Sequence, residues 1–438
     1  MNRRKFLRDS SLATAGITIL NFPVFGKNAP SNKVLIAVMG VNGRGAYLAD
    51  CFSQLPNVEV AYICDVEEKA IANGLRPFAN KPRAPKVIKD IRDLVKMKDF
   101  DTLVIAGPDH WHAPATIMGV KNGKHVYVEK PLSHNPYEGE LMVDLMKLYP
   151  NTKIQMGNQR RSMPNLIDAV KQVREGVIGE AYLGKAWYAN NRKSIGTGKK
   201  VPVPGTLDFD LWQGPAPRRD YQDNLVHYNW HWFWHWGTAE TCNNGTHEID
   251  MCRWMLGVDF PTKVASIGGR YAFKDDWEMP DTQVASFEFG SAKSITWEGR
   301  SCNKFEVEGG GRGFIIYGTN GTLVNRGNDD YAIYDANNKL VKEMKAGASN
   351  AATNTLSANG NLDFFHLHNF INSIRGEATL NSTMDEGHKS VLLCHLANIA
   401  QRRGTTLFCD PSNGHITNDS EAMKLWRREY EKGWEPVV

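Results

Sequence analysis

The stretch from Val34 to Asp65 limits what this chain can fold into more than any other. Val34-Leu35-Ile36-Ala37-Val38-Met39 is apolar throughout and rich in β-branched residues. That is the composition of a strand buried on both faces of a parallel sheet. Gly40-Val41-Asn42-Gly43-Arg44-Gly45 follows at once. Gly40 permits a tight turn, and Gly43 and Gly45 let the backbone come close to a ligand. Ala46 to Phe52 then reads as a helix start, whose free N–H groups can face a pyrophosphate. The next apolar run begins at Val58 and ends on Asp65, where a carboxylate can accept from a ribose hydroxyl. The spacing is Gly-x-x-Gly-x-Gly rather than the commoner Gly-x-Gly-x-x-Gly. Its weight comes from the order strand, loop, helix, strand, acid around it. Asp65 points to NAD rather than NADP, because a carboxylate repels a 2′-phosphate. Arg44, inside the loop, can serve either a pyrophosphate or a 2′-phosphate.

The alternation continues. Glu67 to Phe78 suits a helix, Val87 to Lys98 a short strand and helix, and Asp101 to Ala106 a buried strand. That strand runs into Gly107-Pro108-Asp109-His110-Trp111-His112. A helix from Ala113 to Asn122 and a strand from Lys124 to Val128 follow, and the strand ends on Glu129-Lys130-Pro131. A helix from Tyr137 to Leu148 and a strand from Lys153 to Gly157 close the series. Strands alternating with helices over short links give a doubly wound parallel sheet, with ligands beyond the carboxyl ends of its strands. Gly40, Asp65, Pro108 to His112 and Glu129-Lys130 all lie at those ends.

Beyond residue 157 the pattern changes. A helix from Met163 to Glu175 and a strand from Ala181 to Ala189 precede a loop rich in Gly, Pro and Lys from Asn190 to Pro217. Lys263–Tyr271, Gln283–Phe289, Ala292–Gly299, Gly313–Tyr317, Gly321–Asn325 and Tyr331–Tyr334 read as an antiparallel sheet. Helices are expected at Asp363–Arg375, Met384–Arg403 and Asp419–Gly433. The fold class is therefore α/β: a doubly wound parallel sheet, then an α+β part with a large, mostly antiparallel sheet.

The first residues, Met1-Asn2-Arg3-Arg4-Lys5-Phe6-Leu7, place paired arginines before an apolar stretch from Leu12 to Phe25. This is the pattern of a twin-arginine export signal, which implies a periplasmic location. Asn21 and Pro23 make that stretch a poor membrane span. The expected division is 1–30 signal, 31–157 dinucleotide-binding domain and 158–438 substrate and oligomerisation domain. The composition, 42% hydrophobic and 23% charged, is ordinary for a globular protein. A net charge of +4 without a Lys/Arg tract after the signal argues against nucleic acid as a partner. The Cys residues are odd in number and scattered, with no Cys-x-x-Cys, so no disulfide framework is expected.

The chain resembles the Gfo/Idh/MocA oxidoreductases, which include glucose–fructose oxidoreductase and inositol dehydrogenase. Gly40-Val41-Asn42-Gly43-Arg44-Gly45, Asp109-His110-Trp111-His112, Glu129-Lys130-Pro131 and Gly245-Thr246-His247-Glu248-Ile249-Asp250 carry the resemblance. It implies a Rossmann domain in which Pro108, Asp109, His110, Trp111, His112, Glu129 and Lys130 line the nicotinamide pocket. Lys130 is then placed to hydrogen-bond a substrate hydroxyl and stabilise an alkoxide. His247 suits proton removal as hydride leaves the carbon. Asp250 shares a helix face with His247 at i, i+3 and can orient the ring, or equally cap or brace the helix. Similar proteins that oxidise polyols often carry Asp four residues before the His. Here that residue is Asn243, and an amide takes no proton, so either the reaction is not a simple dehydrogenation or His247 is left as the sole acid/base.

Asn229-Trp230-His231-Trp232-Phe233-Trp234-His235-Trp236 offers aromatic faces for the C–H face of a sugar, with Asn229, His231 and His235 as hydrogen-bonding groups. An aromatic subunit contact is the other reading. His227, His231 and His235 fall at i, i+4 and i+8, a metal pattern on a helix. The Trp alternation fits a strand or loop better, and no metal is expected. Arg160 and Arg161 are candidates to reach cofactor or substrate, Tyr188 and Lys185 weaker ones, and His366 and His368 structural.

The resemblance implies an NAD-dependent oxidoreductase acting on a sugar. Export adds a condition: there is no NAD pool outside the cytoplasm, so the cofactor must be bound before transport and restored in place. A glycoside hydrolase using bound NAD through a transient keto-sugar, as related N-acetylgalactosaminidases are thought to do, is the alternative. A sugar-sensing protein without turnover is another. A homo-oligomer joined through the C-terminal sheet is expected, with no stable membrane insertion.

Overall fold

The computed structural model describes residues 33–345 and 362–438. The segment read as an export signal lies outside the described residues. The first sheet has six parallel strands in the order β3-β2-β1-β4-β5-β6. They are β1 (Val34–Met39), β2 (Val58–Cys64), β3 (Lys86–Ile88), β4 (Thr102–Ile105), β5 (His125–Val128) and β6 (Ile154–Met156). Helices α1 (Arg44–Ser53), α2 (Glu68–Leu75), α3 (Ile91–Leu94), α4 (His112–Lys121) and α5 (Pro136–Leu148) make the connections. Ile36, Val38, Leu103, Val104, Val126 and Val128 are fully buried, which is why these strands read as unbroken apolar runs. The registers Met39↔Ile105 and Ile105↔Val128 bring Gly40, Ala106 and Glu129 out at one edge. Strand order reverses between β1 and β4, and such a switch point opens a crevice.

After α6 (Pro164–Arg174) comes the second sheet, nine strands in the order β14-β13-β12-β11-β7-β10-β9-β8-β15. β7 (Ala181–Ala189), β8 (Lys263–Gly269), β9 (Thr282–Phe289), β10 (Lys293–Arg300), β11 (Arg312–Gly318), β12 (Gly321–Asn325) and β13 (Tyr331–Asp335) match the expected strands to within a few residues. β14 (Leu340–Met344) and β15 (Leu407–Phe408) complete it. The sheet is not wholly antiparallel, because β7 and β10 pair in parallel. Inward Ile295 and Trp297 alternate with half-buried neighbours along β10.

Helix α7 (Phe209–Gln213) lies inside the segment read as a loop. Helix α8 (Thr246–Leu256) crosses β7 so closely that a Cβ on Gly184 would stand 2.8 Å from the Cys252 Cβ. Helix α9 (Leu362–Ile374) precedes α10 (Met384–Arg403), which packs against α5, α8 and β8 and is buried along most of its length. Thr383 caps its start and Gly404, at φ 63°, ends it in the left-handed conformation.

The terminal helix expected over Asp419–Gly433 is a correction. Only α11 (Ser420–Met423) and a 3₁₀ turn, Lys424–Trp426, form. The tail then lies across the molecule: the Glu431 N–H donates to the Pro215 carbonyl at 3.0 Å, and Trp434 meets Trp111 edge-on at 5.3 Å. Anchoring these aromatics outweighs continuing a short helix. Among the described residues no helix is long and apolar enough to cross a membrane.

Candidate active site

A cavity of about 840 Å³ opens where β1, β2, β4 and β5 end. Gly40, Asn42, Gly43, Arg44 and Asp65 form one side of it. Gly40 sits at φ +81°, and a Cβ there would stand 2.4 Å from the Gly107 nitrogen. Gly45 lies beneath the loop, where a Cβ would meet the Gly40 carbonyl. Helix α1 begins with no side-chain cap and no acidic residue in its first turn. Its first N–H groups are left for an anion, which suits a pyrophosphate. The Asp65 carboxylate accepts from the Val41 N–H at 2.7 Å and the Glu67 N–H at 3.1 Å, tying the end of β2 to the glycine loop. Burial raises its pKa. Arg44 is committed elsewhere. It donates to both Asp363 oxygens, at 2.8 and 2.6 Å, and to Glu129 at 2.8 Å. Its guanidinium, read as serving a pyrophosphate or a 2′-phosphate, braces the loop against β5 and α9 from the cavity wall.

Pro108, Asp109, Trp111, His112, Glu129 and Lys130 also line the cavity. His112 bridges two loops, with Nδ1 2.5 Å from the Pro131 carbonyl and Nε2 2.9 Å from that of Gly107. Asp109 accepts from the Thr238 hydroxyl. His110 is a correction. It is fully buried behind the wall, with Nε2 3.1 Å from the Trp212 carbonyl.

Lys130 Nζ donates to Asn243 Oδ1 at 3.0 Å, and the Asn243 amide donates to Glu240 Oε1 at 3.2 Å. Glu240 in turn is held by Arg192 Nε at 2.7 Å and the Ser301 hydroxyl at 3.0 Å. Burial lowers the Lys130 ammonium below its ordinary pKa, against the pull of Glu129 and Asp109. The Glu240 carboxylate thus stands one hydrogen bond further back, and Asn243 keeps an orienting contact with Lys130. It lies on Thr241–Gly245, wound as a π-helix just ahead of α8, a distortion that recurs at functional sites.

His247 lines the cavity opposite, and its Nε2 is buried without a hydrogen-bond partner. Burial, then the charges of Arg312, Lys130, Arg160 and Arg44, push its pKa well below the ordinary value and keep the ring neutral. Asp250 does not orient it. Both Asp250 oxygens accept from Arg161, at 2.8 to 3.1 Å, and Oδ1 also accepts from Ser390. A bidentate guanidinium outcompetes a neutral ring. Arg160 is likewise drawn away, to Glu248 at 3.0 Å, the Gly327 carbonyl and Asn325.

Of the aromatic run only Trp230 and His231 reach the cavity. Trp232 stacks on Trp277 at 3.9 Å in the core, Arg402 covers Trp234, and Trp236 packs with Trp212. Asn229 donates to the Asn224 carbonyl, and His235 Nε2 lies 2.7 Å from that of Pro217. Asn229, Trp234 and His235 are therefore corrected from substrate contacts to structural ones. The run is a 3₁₀ turn and loop rather than a strand, so its alternation is not two-sided. Among the described residues no group of His, Cys, Asp or Glu can hold a metal.

Residues that no local pattern singled out complete the wall: Arg192, Tyr228, Asn244 and Arg312. Arg312 pairs with Glu248 at 2.8 Å. Tyr188, the weaker candidate on β7, also lines it, and burial pushes its phenol up to about 12.

The segment from Thr206 to Gly237 straps the second domain onto the first. The Glu68 N–H donates to the Thr206 carbonyl and the Asp208 N–H to that of Val66, both at 3.0 Å. Thr206 Oγ1 reaches Glu67 at 3.0 Å. Leu207, Phe209, Trp212, Leu225 and Phe233 give the strap its own apolar core. Through Leu211, Trp212 and His227 it walls the cavity directly after Asp65.

Residues 34–157 match a family model described as an oxidoreductase family with an NAD-binding Rossmann fold, and residues 206–407 match its C-terminal alpha/beta domain. The chain is 30% identical over 211 residues to a "Glycosyl hydrolase family 109 protein" of Shewanella sp. (strain W3-18-1), covering 43% of this chain and 46% of that one. A protein of the same name in Shewanella pealeana is 28% identical over the same shares. The chain spans about half the length of the curated relatives it matches. Among solved structures, a levoglucosan dehydrogenase in complex with NADH and levoglucosan superposes with a TM-score of 0.66 at 17% identity, covering 86% of this chain and 99% of that one. The WlbA dehydrogenase of Bordetella pertussis, in complex with NADH and UDP-GlcNAcA, gives 0.63 at 18% over the same shares. These likenesses establish the fold.

Proposed function

The chain belongs to the Gfo/Idh/MocA oxidoreductase family, and from that premise we propose that it oxidises a sugar or sugar derivative by hydride transfer, with a nicotinamide dinucleotide that it keeps bound. One observation carries the reading. Lys130 and a neutral, unpartnered His247 line the same cavity as the uncapped start of α1. The glycine loop and α1 would hold the pyrophosphate, Asp65 the ribose, and Pro108, Asp109 and Glu129 the nicotinamide end. The bound dinucleotide supplies a hydride acceptor. Lys130 polarises a substrate hydroxyl through Nζ, oriented by Asn243, while His247 takes the hydroxyl proton.

Asp65 supports NAD over NADP. Asp65→Ala is expected to weaken NAD binding, and the wild-type protein to prefer NAD, in calorimetric titrations of apo protein. Tighter binding of NADP would overturn the preference. The strap supports retention, since it adds a wall beside Asp65 that backbone hydrogen bonds tie to the first domain. Retention also fits export through the twin-arginine route to the periplasm, which Arg3-Arg4 and the following apolar stretch support. A homo-oligomer joined through the nine-stranded sheet is supported by Ile267 and Val284. They pair on one face and are 73% and 43% exposed.

A second reading has its own support. Curated relatives carry a glycosyl hydrolase name, and Asn243 replaces the carboxylate that polyol-oxidising relatives use. In this reading oxidation of a ring hydroxyl acidifies the neighbouring C–H, the glycosidic group leaves, water adds, and the ketone is reduced again. Incubating the purified protein with an aryl glycoside and no added nucleotide separates the possibilities. Release of the aryl group supports the hydrolase and a keto-sugar the oxidoreductase. Neither product, with any sugar of a broad panel, would contradict both and leave a sensor.

A further inference from the structure

A simple dehydrogenation moves one proton, from the hydroxyl, and Lys130 with His247 serve it. Elimination of a glycosidic group from a keto-sugar moves another, from carbon, and that proton needs its own base. His231 has the geometry for it. It lies on the 3₁₀ turn Asn229–Trp232, with Nδ1 2.6 Å from the Tyr228 carbonyl. A carbonyl oxygen only accepts, so Nδ1 carries the hydrogen and Nε2 holds the lone pair. Nε2 has no protein partner among the described residues, and the ring lines the cavity. Trp230 stacks on the ring at 3.6 Å and 19°, and Tyr228 lies at 4.5 Å. Gly237 locks the turn from behind, where a Cβ would stand 2.3 Å from the His231 carbonyl oxygen. Burial, opposed by the Tyr228 carbonyl but reinforced by Lys130, Arg192 and His112, keeps the imidazole neutral.

We propose that His231 is a second catalytic base, which removes through Nε2 the proton from the sugar carbon between a ketone and the carbon bearing the leaving group. The inference rests on the hydrolase reading above. The C–H bond breaks and its proton passes to Nε2. The electron pair forms the C=C bond while the C–O bond to the aglycone breaks, its pair leaving on oxygen. The imidazolium then returns the proton to that oxygen. The step is redox-neutral, and for an anomeric leaving group the ketone belongs at C3 and the proton at C2.

Supplying the ketone directly tests this step apart from the oxidation. The full protein is given a panel of aryl 3-keto-hexosides in D₂O. Deuterium entry at C2 is followed by NMR, aryl release by absorbance, and keto-sugar binding by quenching of tryptophan fluorescence. His231→Gln is expected to lower both exchange and release at least about 100-fold, the scale of a positioned proton-transfer group, while the keto-sugar still binds. Added imidazole is expected to restore exchange in His231→Ala. Exchange at the wild-type rate in His231→Gln would overturn the proposal. So would a loss that only follows weakened binding, because His231 would then be a stacking contact. A wild-type protein that neither exchanges nor releases from any keto-hexoside would overturn the proposal together with the hydrolase reading. It would leave the oxidoreductase reading standing if sugar still reduces the bound nicotinamide.

Discussion

Replacing His247 with Ala is expected to lower turnover on a proven sugar substrate by about two to four orders of magnitude, the range for a positioned proton-transfer group. Its Nε2 is buried without a hydrogen-bond partner, so removing the ring breaks no bond there. The burial and cationic surroundings that hold it neutral leave a lone pair ready for the hydroxyl proton. Lys130→Ala is expected to cost a similar factor. It frees Asn243 Oδ1, but that atom faces a cavity which water can enter, so the variant should fold. Steady-state rates with circular dichroism as a folding check decide the matter. Near wild-type rates in both variants would show that the chemistry lies elsewhere in the cavity.

Asp250→Ala is expected to act on stability instead, by about 3–5 kcal/mol, the cost of leaving one partner of a buried ion pair unmatched. Arg161 and Asp250 are 3% and 1% exposed. Glu386 also touches Arg161, at 3.0 Å, which keeps the loss towards the low end. Replacing the pair together, as Arg161→Met with Asp250→Leu, is expected to recover much of it, because no charge is then left bare. Urea midpoints of the single and double variants measure this. A single variant of wild-type stability but with turnover as low as that of His247→Ala would return Asp250 to the chemistry.

The contrast between these residues shows where the sequence was legible. The strand from Val34 and the glycine loop announce themselves because a strand buried on both faces must be apolar throughout and a tight loop must use glycine. The carboxyl ends of β1, β2, β4 and β5 then converge by topology alone. His247 and Asp250, three residues apart, suggested a pair because helix spacing is visible and a distant arginine is not. Arg161 comes from beyond β6 to claim the carboxylate. Trp230 to Trp236 looked like one sugar platform. Trp277 claims Trp232, and only the 3₁₀ turn reveals which rings face the cavity. Arg312 was missed because the register of β11, which no local pattern carries, delivers it, and Arg192 because the path of the loop after β7 does. Glu240 had a signal, lying one helical turn before Asn243.

The central claim is that the dinucleotide stays on the protein and is restored there. Protein purified without added nucleotide should be denatured and the supernatant assayed for nicotinamide, alongside native samples in which the absorbance of the reduced ring is followed on adding sugar. Near-stoichiometric nicotinamide is expected, with reduction that reverses as product forms and no free NADH. An empty, freely exchanging site, or NADH accumulating in step with product, would contradict the account.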